Sequence, residues 1–184
     1  MSQPSDTGHA VLAVAVPEME QFVRQRTAHY DRDYLSPDPH FAHAHVTLLS
    51  PWLQDPTGED LERVDRLCRE SLPFGFELSR VATFPDGTIH LRLEPDARMR
   101  QFGAALRDCF PGIRPYDGLF GEELIPHVTV DAVGPGVDEQ VVRGWLDRTL
   151  PLPSRAERVQ YHWWQAANCH LRHEWRLGSL RGAS

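Results

Sequence analysis

No apolar run in this 184-residue chain approaches the roughly 18 residues of a bilayer-spanning helix. Residues 1–8 also lack the charged-then-apolar layout of a signal peptide. The expectation is a cytoplasmic protein without a membrane partner, with 1–8 as a disordered tail. Cysteine is scarce: Cys68, Cys109 and Cys169 are odd in number and far apart, which argues against a disulfide framework or a zinc knuckle. Positive charge is outnumbered, with 19 basic against 26 acidic residues and a formal net charge of −7. Long duplexes are gripped by many Lys and Arg side chains on phosphates, so a long nucleic acid is not the expected partner. A small nucleotide or a nucleic-acid end, held in a locally basic pocket, remains open. G-x-S-x-G, Walker and G-x-G-x-x-G motifs are missing too, leaving no support for a serine hydrolase, a P-loop NTPase or a Rossmann protein.

What remains is ordinary for a globular chain, with 41% hydrophobic and 24% charged residues. No linker divides it, so residues 9–184 are expected to form one domain, and a monomer is the default. The run from His9 to Val16, ended by Pro17, reads as a buried strand. Residues 18–31 and 59–72 have helical spacing, the second with Leu61, Val64, Leu67 and Cys68 on one face. Alternation over 74–84, the turn Pro85-Asp86-Gly87 and a return over 88–93 make a hairpin. Helices are expected over 95–110 and 138–150, and a last hairpin over 158–166 and 170–177. The class is α+β, with a motif strand, helices and a hairpin in each half of the chain.

The motif strands carry the signal. His45-Val46-Thr47-Leu48 and His127-Val128-Thr129-Val130 repeat one tetrad. Side chains alternate along a strand, so His45 and Thr47 share a face, as do His127 and Thr129, while the apolar residues anchor the other face. Two such pairs facing each other would form a phosphate site with a base on one side and an acid on the other. Composition alone makes one H-x-T unremarkable among ten histidines; two matching tetrads are rarer.

These strands, HAHVTLLSPW over 43–52 and IPHVTVDAV over 125–133, resemble those of the two-histidine (2H) phosphoesterase superfamily, in its bacterial 2′-5′ RNA ligase and cyclic phosphodiesterase branch. Glu174-Trp175-Arg176-Leu177 is similar to the last strand of that branch. The resemblance implies two pseudo-symmetric lobes of antiparallel sheet with outer helices, one H-x-T strand per lobe and the active cleft between. It implies His45 and His127 as general acid and base, Thr47 and Thr129 as phosphate-binding residues, and no cofactor. Histidine suits both proton transfers because its pKa lies near neutrality. One departure stands out. Many ligase-like relatives carry an arginine soon after the second motif, where this chain has Asp131, Ala132 and Val133. Arg80, Arg92, Arg114 and Arg176 are the candidates to replace it.

Tyr116, Phe120 and Trp52 are candidates for stacking a base. Adjacent Trp163 and Trp164 point to opposite faces, so at most one can reach the cleft. His43, His45 and His127 could be three metal ligands, but no carboxylate or cysteine completes the set and no metal is expected. His43 is then expected at the pocket rim, partly exposed. The function expected is a metal-independent phosphodiesterase acting on a cyclic phosphate or 2′-5′ linkage in a nucleotide or RNA end. Reversible 2′-5′ RNA ligation, a non-catalytic nucleotide- or RNA-binding module and a His-ligated metalloenzyme are the alternatives.

Overall fold

The computed structural model describes residues 7–114 and 125–178. Among these are eight strands and four α-helices: β1 His9–Ala15, α1 Glu20–Tyr30, β2 His45–Trp52, α2 Gly58–Glu70, β3 Phe74–Thr83, β4 Thr88–Glu94, α3 Ala97–Asp108, β5 His127–Ala132, α4 Glu139–Leu146, β6 Leu152–Ala156, β7 Arg158–Trp164 and β8 His170–Arg176. No helix among the described residues is long and apolar enough to cross a membrane. The expected tail falls largely outside them, as residues 1–6.

Every strand pairing is antiparallel, and all eight strands form one sheet in the order β6-β3-β4-β5-β2-β1-β7-β8. The expected α+β fold with two lobes is met: the lobes are the two four-stranded halves of this sheet. The motif strands β2 and β5 lie side by side at its centre, joined through a single paired position, Val46 opposite Val128.

Each half of the chain holds a motif strand and a hairpin, but the halves of the sheet are not the halves of the chain. The hairpin β3–β4 joins the second motif strand, and the hairpin β7–β8 joins the first. Residues 74–156 supply one half of the sheet as a continuous block. The other half is assembled from 9–52 and 158–176. The edge strand β6 falls where the sequence shows Pro151 and Pro153 and so was not expected. Proline cannot donate to a ladder and is confined to edges, and β6 is the edge strand beside β3.

Val46, Leu48, Val128 and Val130 are buried in a core that includes Val23 of α1, Val64 and Cys68 of α2, Phe102 and Leu106 of α3, and Val142 and Leu146 of α4. Burial of each large apolar side chain contributes roughly 1.5–3 kcal/mol. The alternation that buries these residues leaves His45, Thr47, His127 and Thr129 half-buried on the other side of their strands. α2 begins at a capping box in which the Thr57 hydroxyl accepts from the Asp60 N–H (3.2 Å) and the Asp60 carboxylate accepts from the Thr57 N–H (2.9 Å). Gly87, at φ 91°, allows the tight β3–β4 turn that sets Phe84 back against β4.

Candidate active site

Val46 opposite Val128 fixes the central geometry. By antiparallel alternation, His45 stands beside Thr129 and Thr47 beside His127 on one face, with the histidines on a diagonal of roughly 7–8 Å between Cα atoms. On the next strand, Ala15 pairs with His45 and Ala13 with Thr47. Ala13 is fully buried there and Ala15 half-buried.

The two imidazoles are held in the same way. His45 Nδ1 lies 2.8 Å from the His43 carbonyl, and His127 Nδ1 lies 2.7 Å from the Ile125 carbonyl. A carbonyl only accepts, so Nδ1 carries a proton in both rings, and Nε2 is the nitrogen left to take up or give a proton. Among the described residues, neither Nε2 and neither threonine hydroxyl has a hydrogen-bond partner.

Each motif ring meets a second, buried histidine nearly edge to face. His162 of β7, 0% exposed, packs on His45 with ring centroids 5.4 Å apart. His90 of β4, 1% exposed, packs on His127 at 5.2 Å and lies opposite Thr129. The Gln160 side-chain oxygen accepts from His162 Nε2 at 2.6 Å. Burial, reinforced by the neighbouring imidazole of His127, pushes His45 down to about 4, and the same two causes push His90 to about 4. Burial lowers His127 as well, opposed by its bond to the Ile125 carbonyl and by Asp86 in the hairpin turn. Burial and then the charge of His45 lower His162.

Beyond the rings, the two sides differ. Phe41 packs on His162 (4.4 Å) and Trp164 (4.9 Å), and Trp164 lies 5.4 Å from His45 and 6.2 Å from Tyr34. On the other side Phe84 stacks on His90 (3.8 Å, 13° between planes) and meets His127 edge-on at 4.8 Å. Arg92 lies opposite His127, and Arg80 opposite Arg92. Sequence reasoning missed His90, His162, Phe41 and Phe84. Alternation within β4 and β7 could have shown that His90 and His162 share faces with Arg92 and Trp164, but not which strands those faces adjoin.

Several expectations change. Trp52 is 4% exposed in the core, between Phe110 (5.5 Å) and Tyr161 (4.9 Å), and its strand partner Ala10 also points into the core. It is not on the face that holds the histidines, so it cannot stack a base there. Trp164 is the aromatic that does face them. Tyr116 and Phe120 lie outside the described residues. His43 is not a partly exposed rim residue: it is 3% exposed, with Nδ1 2.7 Å from the Glu20 carboxylate and Nε2 accepting from the Ser36 N–H at 3.0 Å. Both nitrogens are thus engaged, which removes it from a ligand set with His45 and His127. Among the described residues, no group of three or more His, Cys, Asp or Glu is placed to hold a metal ion. Asp131, which follows the second motif, pairs with Arg26 of α1, and the Arg26 guanidinium stacks on Trp145 at 4.5 Å. Arg114 is exposed beyond α3, and Arg176 ends β8 opposite Arg158, at the far edge of the sheet.

A single sheet with twin H-x-T strands at its centre is the architecture of a two-histidine phosphoesterase. The chain belongs to the 2′-5′ RNA ligase superfamily, which matches residues 15–168. Membership carries phosphoesterase- or ligase-type chemistry on a phosphodiester. Solved structures share the fold. TT0787 of Thermus thermophilus is 17% identical, with 92% of this chain and 98% of that one covered at a TM-score of 0.56. E. coli LigT in complex with NADP+ is 16% identical, with 94% and 99% covered at 0.52. The LigT complex with 3′-AMP is 14% identical, with 92% and 98% covered at 0.54. No curated protein matches the chain.

Proposed function

We propose that the protein is a metal-independent phosphodiesterase that opens a cyclic phosphate, or cleaves a 2′-5′ linkage, in a nucleotide or at an RNA end. The observation carrying this reading is the pair of imidazoles on adjacent strands with both Nε2 atoms unpartnered, each beside an unpartnered threonine hydroxyl. A phosphate lying across the two strands would meet a histidine at either end of an in-line displacement, and its non-bridging oxygens would accept from Thr47 and Thr129. E. coli LigT has been crystallised with 3′-AMP and with phosphate, ligands of the class this site would take.

In hydrolysis of a cyclic phosphate, His45 Nε2 takes a proton from water as the water oxygen bonds to phosphorus. The P–O bond to one ribose oxygen breaks, and that oxygen receives the proton of His127. The assignment follows the surroundings. His45 is the more strongly held neutral, which suits a base, and Asp86 favours a charged His127, which suits an acid. The base must be deprotonated and the acid protonated. For the free enzyme, kcat/KM should therefore rise above about pH 4 and fall as His127 deprotonates, below its ordinary value of 6.5. The apparent values belong to the coupled pair. A bound phosphate anion favours imidazolium, so the kcat profile should lie at higher pH than that of kcat/KM.

The test is hydrolysis of 2′,3′-cyclic nucleotides and 2′-5′ dinucleotides in EDTA across pH 4–9. A bell-shaped profile, with the maximum of kcat/KM below 6.5, supports the reading. Absence of turnover, or turnover only after a divalent metal is restored, overturns it.

A further inference from the structure

The strand arginine missing after the second motif has counterparts one and two strands away. Arg92 lies directly opposite His127, and Arg80 directly opposite Arg92. Opposed residues share a face, so a cationic row leads away from the histidines in steps of about 4.8 Å, one strand spacing each. Arg92 is half-buried and Arg80 exposed. Neither guanidinium has an ion pair or hydrogen bond among the described residues. None of the nearby acids makes an ion pair with either arginine among the described residues. Glu77 and Glu94, the next opposed pair outward, are exposed and make no ion pair with either arginine. Asp86 accepts from the Thr88 N–H at 2.9 Å, and Glu139 is held by the Thr83 hydroxyl at 2.9 Å and by Arg143. Like charges directly opposite on neighbouring strands destabilise a sheet, and an anion between them reverses the sign of that interaction. All 19 basic residues of the chain are arginine, and the planar guanidinium fork matches a phosphate with two parallel hydrogen bonds.

We propose that Arg80 and Arg92 form a second anion site, which takes a phosphate one nucleotide unit away from the reacting phosphodiester. The inference rests on the reading that the phosphodiester lies between His45 and His127, and it narrows the substrate class. The preferred substrate carries a further phosphate, as a 5′-phosphorylated cyclic nucleotide or the end of an oligonucleotide does, and a bare cyclic mononucleotide is the poorer ligand. Trp164 and Tyr34, on the opposite side of the motif strands, are where the base stacks, so the nucleotide has a defined direction across the sheet.

Calorimetric titration with 3′-AMP and with adenosine 3′,5′-bisphosphate tests this directly, because the two probes differ by the second phosphate alone. Wild-type protein should bind the bisphosphate about tenfold or more tightly, the scale of added charge-assisted hydrogen bonds. In the Arg80→Gln/Arg92→Gln double variant the advantage should fall below about threefold. Arg148→Gln, in an exposed residue beyond α4, should keep it. Equal affinities in the wild type, an advantage that survives in the double variant, or one lost equally in Arg148→Gln overturns the site. Parallel turnover assays separate the two claims. A protein that keeps the advantage yet hydrolyses no cyclic phosphate supports the anion site and refutes the proposed reaction.

Discussion

His45 and His127 each donate Nδ1–H to the carbonyl two residues back, and each meets a second buried imidazole, but one is walled by Phe41 and Trp164 and the other by Phe84 and a row of arginines. The likeness is local. The shared His-Val-Thr in a strand gives the same Nδ1–H to carbonyl bond in both and leaves Nε2 without a partner among the described residues. The contrast is tertiary, because β1 and β7 flank one motif while β4 and β3 flank the other. Two copies of one motif thereby acquire different surroundings: aromatic rings beside His45, and beside His127 a ring, two arginines that oppose its protonation and an aspartate in the hairpin turn, Asp86, that favours it.

Removing one imidazole at a time is the most severe test of this pairing. His45→Ala and His127→Ala should each lower turnover of a 2′,3′-cyclic nucleotide by roughly 10²–10⁴-fold, the usual worth of a positioned acid or base. Near wild-type turnover in either variant would show that the two strands do not act together. The walls come next. Trp164→Ala should raise KM by roughly 5- to 150-fold, corresponding to about 1–3 kcal/mol of lost base stacking, with little change in unfolding midpoint. Trp52→Ala should do the reverse, costing about 3–5 kcal/mol of stability as a cavity opens between Phe110 and Tyr161 while KM holds. Steady-state kinetics and denaturant titration on the two variants would reveal an exchanged pattern, which would place the base on the core side of the sheet.

The last test concerns acid stability. His45 and His90 are both lowered from 6.5 to about 4 in the folded protein, so below 6.5 the unfolded chain binds more protons. The stability from burying these rings neutral is complete above 6.5 and is lost as pH falls toward 4, up to about 3 kcal/mol for each ring. Urea midpoints should decline over that window. His90→Asn should decline less steeply, and an unchanged slope would mean that the ring beside His127 does not bear this cost.

The α+β class, both motif strands, both hairpins and all four helices were legible in the sequence, because each follows a period of 2 or 3.6 and is bounded by turn residues. β6 was not, since five residues containing Pro153 look like a loop until β3 supplies the partner. Nor was the exchange of hairpins between motifs. Strand neighbours are set by packing across the whole chain, and nothing local in 74–94 says that it will lie beside residue 127 rather than residue 45. The same limit hid the accessory histidines: His90 stands 37 positions from His127, and His162 stands 117 from His45. Trp52 was misread for a different reason. An aromatic after a motif looks like a lining residue, but alternation along β2 already sets Trp52 on the face of Val46 and Leu48, and its pairing with Ala10 agrees.

The single rung between Val46 and Val128 has a mechanical consequence. The ladder between the two groups of four strands is confined to that point, and α1 also crosses the seam through the pair of Arg26 with Asp131 of β5. The distance between the two imidazoles is therefore set by one rung and by the side chains packed across it, and not by a continuous ladder.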